Sequence, residues 1–114
     1  MARAVARADV WTVSGGPDYA GKARPAAIVQ DDRFDTDSVT VCPFTTDPTD
    51  APLFRLAIEP SSENGLRETS SLIVDKITTI PRSKLGDRIG GLAGADVVRL
   101  NRAIVVFLGV ASTG

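Results

Sequence analysis

The chain has 114 residues, with 13 Lys plus Arg against 14 Asp plus Glu, one Cys and no His. That length predicts one domain over residues 1–114, whose core hides roughly two-thirds of the surface of the unfolded chain without a disulfide staple. The missing imidazole excludes Ser-His and Cys-His catalytic pairs, and a lone thiol leaves only carboxylates as strong metal ligands, so no metal or other cofactor is expected.

A single Cys42 fits a reducing compartment. The longest apolar run, Ala103 to Ala111, is about half of the ~17 residues that a membrane-spanning helix needs. The Ala/Arg-rich start is followed by no apolar stretch or cleavage site of a targeting peptide. A cytoplasmic protein is therefore expected.

Charge is unevenly distributed. Residues 1–24 carry four bases against two acids, residues 31–63 eight acids against two bases, and residues 82–114 five bases against two acids. A nucleic-acid role would have to rest on a local basic patch, because the whole chain is not basic.

Short apolar runs bounded by Gly, Pro, Asp and Ser predict strands and turns. Asp9 to Val13 reads as the first strand, and Ser14-Gly15-Gly16-Pro17-Asp18 as a loop. Arg24 to Gln30 and Ser38 to Phe44 read as strands apolar on both faces, joined by the acidic turn Asp31 to Asp37. Leu53 to Ile58 reads as a fourth strand, and Ser71 to Ile80 as one or two more, ending at Pro81. Arg82 to Leu85 suits a short helical turn. Gly86, Gly90, Gly91 and Gly94 read as flexible turns and a helix cap, since no Lys-Ser or Lys-Thr follows to make a phosphate-binding loop. From Gly94 a helix carries Val97, Leu100, Ile104, Phe107 and Leu108 on one stripe, with Arg99 and Arg102 opposite. Together these elements predict a mainly β fold with a C-terminal α-helix, a small SH3-like curled barrel. Trp11 and Cys42 are expected in its core.

The hairpin permits a geometric reading. With Asp31 and Ser38 closing an antiparallel ladder, residue-for-residue pairing reaches Arg24 opposite Thr45 at the open end. At ~3.3 Å per residue the acidic turn lies about 20 Å away, beyond two Debye lengths in physiological salt. A guanidinium matches two phosphate oxygens, and a hydroxyl beside it adds a neutral donor. RNA supplies its own nucleophile in the 2′-hydroxyl, so alignment and charge stabilisation suffice to accelerate its cleavage. An Arg before Pro25 and a Thr ending a strand are equally ordinary turn residues, and spacing alone leaves both readings open.

At these residues the sequence resembles the MazF/PemK family of toxin endoribonucleases, from type II toxin–antitoxin pairs. The resemblance runs from about Ala8 to Ala111. It is carried by Ala8-Asp9-Val10-Trp11, by Gly21-Lys22-Ala23-Arg24-Pro25-Ala26-Ala27-Ile28-Val29-Gln30, by Val41-Cys42-Pro43-Phe44-Thr45-Thr46, and by Asp75-Lys76-Ile77-Thr78-Thr79-Ile80 before the helix. It implies a cytoplasmic homodimer of the plasmid-maintenance toxin fold, with a cognate antitoxin as partner. The implied activity is sequence-specific, metal-independent cleavage of single-stranded RNA (messenger, ribosomal or transfer), leaving a 2′,3′-cyclic phosphate and a 5′-hydroxyl. The family's catalytic Arg and Thr fall on Arg24 and Thr45. Asp18, Tyr19, Lys22, Thr46, Asp75 and Lys76 become the candidate RNA-binding residues. Two departures stand out. The family usually has Gly where Ala8 stands, and its Gly-Ser-Glu-Gln loop is here Gly16-Pro17-Asp18-Tyr19, with one residue more before Arg24. The other readings are a gyrase-poisoning toxin of the same fold and a non-catalytic β-barrel interaction module, neither of which needs Arg24 or Thr45.

Overall fold

The computed structural model describes residues 4–14 and 22–110. Seven strands come first: β1 (Asp9–Val13), β2 (Arg24–Ile28), β3 (Ser38–Thr45), β4 (Arg55–Ile58), β5 (Ser70–Ile73), β6 (Thr78–Pro81) and β7 (Leu85–Gly91). A single described helix, α1 (Gly94–Leu108), closes the order. The sheet runs β4-β5-β3-β2-β1-β7, with β6 also on β3, and every pairing is antiparallel. Because β4 and β7 end the path, the sheet is curled but open. No described helix is long and apolar enough to cross a membrane.

Period-two alternation sends side chains to two separate cores. Val10, Ala27, Cys42 and Phe44 join Leu56, Ile58, Leu72 and Val74 under the helix residues Leu100 and Ala103. Their strand neighbours Trp11, Ala26, Ile28, Val39 and Val41 form a second cluster with Leu85 on the other face. This is why β2 and β3 are apolar on both faces. Trp11 and Cys42 are both core residues, and Trp11 donates its Nε1 proton to Asp9 Oδ2 at 3.3 Å.

β3 organises the sheet. One edge pairs with β2, and the other pairs with β6 along Ser38–Val41 and then with β5 at Phe44 and Thr45. Three steps along β3, from Val41 to Phe44, correspond to six on the facing β5–β6 segment, from Thr78 to Leu72. The three surplus residues, Val74–Lys76, form a 3-10 turn at a corner of the sheet. Ser71 to Ile80 is thus two strands bent around that corner. A second 3-10 turn follows at Arg82–Lys84.

Three expectations need correction. β2 ends at Ile28 and β4 begins only at Arg55, after a turn in which the Arg55 and Phe54 amides donate to Ala51 O. The glycines at 86, 90 and 91 lie inside β7 rather than in flexible turns, and Gly94 opens α1 with Ala93 at its N-cap. Two of them are tightly approached: a Cβ on Gly90 would stand 2.4 Å from the Glu63 backbone oxygen, and one on Gly86 2.3 Å from the Thr12 hydroxyl. The β1–β7 register slips twice, and the Thr12 hydroxyl takes the Asp87 amide at 2.9 Å where the ladder is broken. Third, Leu108 is exposed and Phe107 half-exposed, while Ala103 joins Leu100 in the core. Phe107 meets only the edge of the core, its ring 5.9 Å from that of Phe54.

Ala8 has φ of +76°, the left-handed region that an L side chain occupies at a cost of about 1 kcal/mol or more. Its amide donates to Ile28 O and its carbonyl accepts from Leu92 N, so the conformation is fixed from both sides. Glycine, without a Cβ, would occupy this region free of that cost. Ala8→Gly is expected to raise stability by about 1 kcal/mol, and Gly90→Ala to lower it by about 3 kcal/mol, in urea unfolding followed by Trp11 fluorescence.

Candidate active site

Arg24 opens β2 opposite Val13, exposed, and Pro25 follows it opposite Thr12. Thr45 ends β3, half-buried, opposite Ser71. Its hydroxyl accepts the Asp47 amide at 3.1 Å, which turns the chain out of the strand. The β2–β3 ladder pairs Ala26 with Pro43, Ala27 with Cys42 and Ile28 with Val41. That is the register read from the sequence; the ladder ends at Ala26 and Pro43, two residues short of Arg24 and Thr45.

Two clefts meet at this end of the hairpin. Lys22, Arg24, Thr46, Arg67, Glu68 and Ser70 are among the residues lining one of about 690 Å³. The other, of about 510 Å³, is lined by Thr45 and Thr46 with Arg55, Thr69, Ser71 and Arg99 among others. Thr46 and Ser70 line both and form their shared wall. On the other side of Arg24 an apolar trough of about 250 Å³ runs between Pro25, Pro43 and Ile80, with Lys84 at its rim. By contrast, the cleft at the acidic turn is lined by Asp31, Asp32 and Asp35, a field that repels a polyanion.

The structure therefore brings Lys22, Arg24 and Thr46 together in one cleft and places Thr45 in the cleft beside it. Asp75 and Lys76 both lie on the 3-10 corner turn. Asp75 accepts both a 2.8 Å and a 3.2 Å bond from Arg55, a bidentate pair that ties the start of β4 to the corner. The Arg55 hydrogen bonds hold the Asp75 carboxyl below the usual carboxylate range and raise the guanidinium in turn. Lys76 is exposed and lines neither cleft. Asp18 and Tyr19 lie outside the described residues. Burial pushes the Cys42 thiol up to about 12, which removes it as a nucleophile.

Sequence reasoning missed Arg67, Ser70 and Arg99. No local motif marks them: Arg67 reaches the site through the β4–β5 connection, Ser70 at the start of β5, and Arg99 through the helix. Arg99 donates to both Ala57 O and Asp96, so its position is fixed against β4.

The fold coincides with that of solved toxin structures. An endoribonuclease in complex with its cognate antitoxin, from mycobacterial species, matches with a TM-score of 0.77 and 27% identity over 94% of this chain and 97% of that one. The Mycobacterium tuberculosis toxin MazF-mt6 matches with a TM-score of 0.76 and 27% identity over 91% and 99%. A curated protein of Mycolicibacterium smegmatis, named probable endoribonuclease MazF, is 57% identical over 106 residues, covering 92% of this chain and 97% of that protein. The family description "PemK-like, MazF-like toxin of type II toxin-antitoxin system" matches residues 6–108, and the chain belongs to that family.

The Arg55–Asp75 pair has a defined pH signature. A depressed carboxyl stabilises the fold fully above its unfolded value near 3.9 and loses that contribution as pH falls through its lower folded value. Asp75→Asn is expected to cost about 1 kcal/mol at pH 7 in urea unfolding, with the difference from wild type shrinking below about pH 4.

Proposed function

We propose that this toxin cleaves single-stranded RNA by in-line attack of a 2′-hydroxyl on the adjacent phosphodiester, without a metal ion. The observation that supports the reading is the β2–β3 register, which runs toward the end of the hairpin where Arg24, Lys22 and Thr46 line one basic cleft and Thr45 lines the adjoining one. Arg24 would hold the two non-bridging phosphate oxygens and stabilise the phosphorane as charge builds on them. The Thr45 hydroxyl would donate to the same phosphate, with Lys22 and Thr46 positioning the strand.

The step balances without further reagents. The 2′-oxygen loses its proton to solvent and bonds to phosphorus, the bond from phosphorus to the 5′-oxygen breaks, and that oxygen takes a proton from solvent. The products are a 2′,3′-cyclic phosphate and a 5′-hydroxyl. Much of the rate would come from alignment, since the nucleophile belongs to the substrate.

The mycobacterial endoribonuclease was solved with its cognate antitoxin, and the same control is proposed here. An acidic antitoxin segment laid over Lys22, Arg24 and Arg67 would block RNA by occupying its charges. A cytoplasmic homodimer of one-domain chains completes the proposal.

Purified wild type incubated with total RNA and EDTA should give discrete cuts with 5′-hydroxyl ends, mapped by sequencing. Arg24→Ala should lower the cleavage rate by about 10²–10³-fold while leaving circular dichroism and sedimentation unchanged. DNA damage without RNA fragments would point to gyrase, and harmless expression to an interaction module.

A further inference from the structure

Of the described arginines that form no hydrogen bond or ion pair, Arg67 and Arg102, only Arg67 lines the candidate cleft. Arg33, Arg55, Arg82, Arg88 and Arg99 are each tied to an aspartate. Arg67 makes no hydrogen bond or ion pair with another described residue, and its exposed side chain lines the same cleft as Arg24 and Lys22.

The backbone that presents it is unusually well fixed for a strand connection. Buried Asn64 accepts from the amides of Ser61 and Leu66 through Oδ1 and donates to Glu59 O. Gly65 adopts φ of +72° where a Cβ would meet Ile89 O at 2.0 Å, so the chain lies directly on β7. Leu66 is in the core on one side, and on the other the buried Ser70 donates its hydroxyl proton to Glu68 O at 3.0 Å. A mobile charge would gain little from such bracing, whereas a phosphate ligand gains by losing less entropy on binding.

We propose that Arg67 binds a second phosphate of the RNA strand, adjacent to the one held by Arg24, and so sets affinity for the strand rather than the rate of the chemical step. The proposal rests on the ribonuclease reading of the cleft. Arg67 is a positioning residue here, because its phosphate is not the one that reacts. Glu68, in the same cleft, limits how far the strand can settle toward that wall and favours a single path past Arg67.

The test uses full-length protein and a single-stranded RNA oligonucleotide carrying a cut site mapped with wild type, made uncleavable by a 2′-deoxy sugar at the scissile position. Arg67→Ala should weaken binding about tenfold at low salt, and its plot of log affinity against log salt should be shallower by about 0.7. On the cleavable oligonucleotide KM should rise while kcat stays within twofold, and Arg67→Lys should recover most of the affinity. Arg102→Ala removes an exposed helix arginine that lines neither cleft and should change nothing. An Arg67→Ala protein with wild-type affinity and salt slope overturns the proposal, as does a loss confined to kcat. Failure of wild type to cut RNA at all overturns the ribonuclease reading itself.

Discussion

The geometry of this protein depends on how β3 divides its hydrogen bonds. Eight residues serve β2 on one edge and both β6 and β5 on the other, and the two ladders on that second edge differ in register by the three residues of the 3-10 turn. The turn bends the sheet, separates Thr45 from the flat part of the ladder and opens clefts on both sides of Thr46. Shifting β3 by one residue would exchange its faces, driving Val39 and Val41 into the space of Cys42 and Phe44. Both sets are buried, so neither can move. The site's register is therefore held by core packing and not by interactions within the site.

The charge distribution follows the same logic. Three of the four carboxylates of the hairpin turn are bonded at that end: Asp31 to the amide and guanidinium of Arg33, Asp32 to the amide of Arg7, Asp35 to Arg82. The Arg33 bonds hold Asp31 below its ordinary range. They lie at the far end of the ladder, so a chain of nearly balanced charge still presents a basic cleft to a polyanion. Asp9 plays the equivalent part in the core, where it accepts from Ala6 N, Trp11 Nε1 and Arg88 Nε and leaves no buried donor there unmatched.

Much of this was legible in the sequence where local pattern and tertiary structure agree. β1 has the predicted boundaries, and the hairpin register follows from strand periodicity and one turn. What failed to show depended on distant partners. The glycines of β7 look like turn residues until Glu63, Asn64 and Thr12 are known to press on them. Asp75 is legible as an acid closing a strand, but its pairing with Arg55 lies 20 residues away in sequence. Arg67 carries no signal, since its significance comes from the bracing of Asn64 and Gly65 against β7. Membership of the toxin family was readable because its motifs fall on β1, β2 and β3, the strands whose order is fixed by sequence-local pairing.

The central claim is that Arg24 and Thr45 act as one unit on one phosphate. A double-mutant cycle on the single-turnover cleavage rate of one oligonucleotide tests it directly, comparing wild type, Arg24→Ala, Thr45→Ala and the double variant. The account predicts that the double variant is no slower than the worse single variant. Losses that multiply, or a Thr45→Ala protein that cleaves at the wild-type rate, would contradict it.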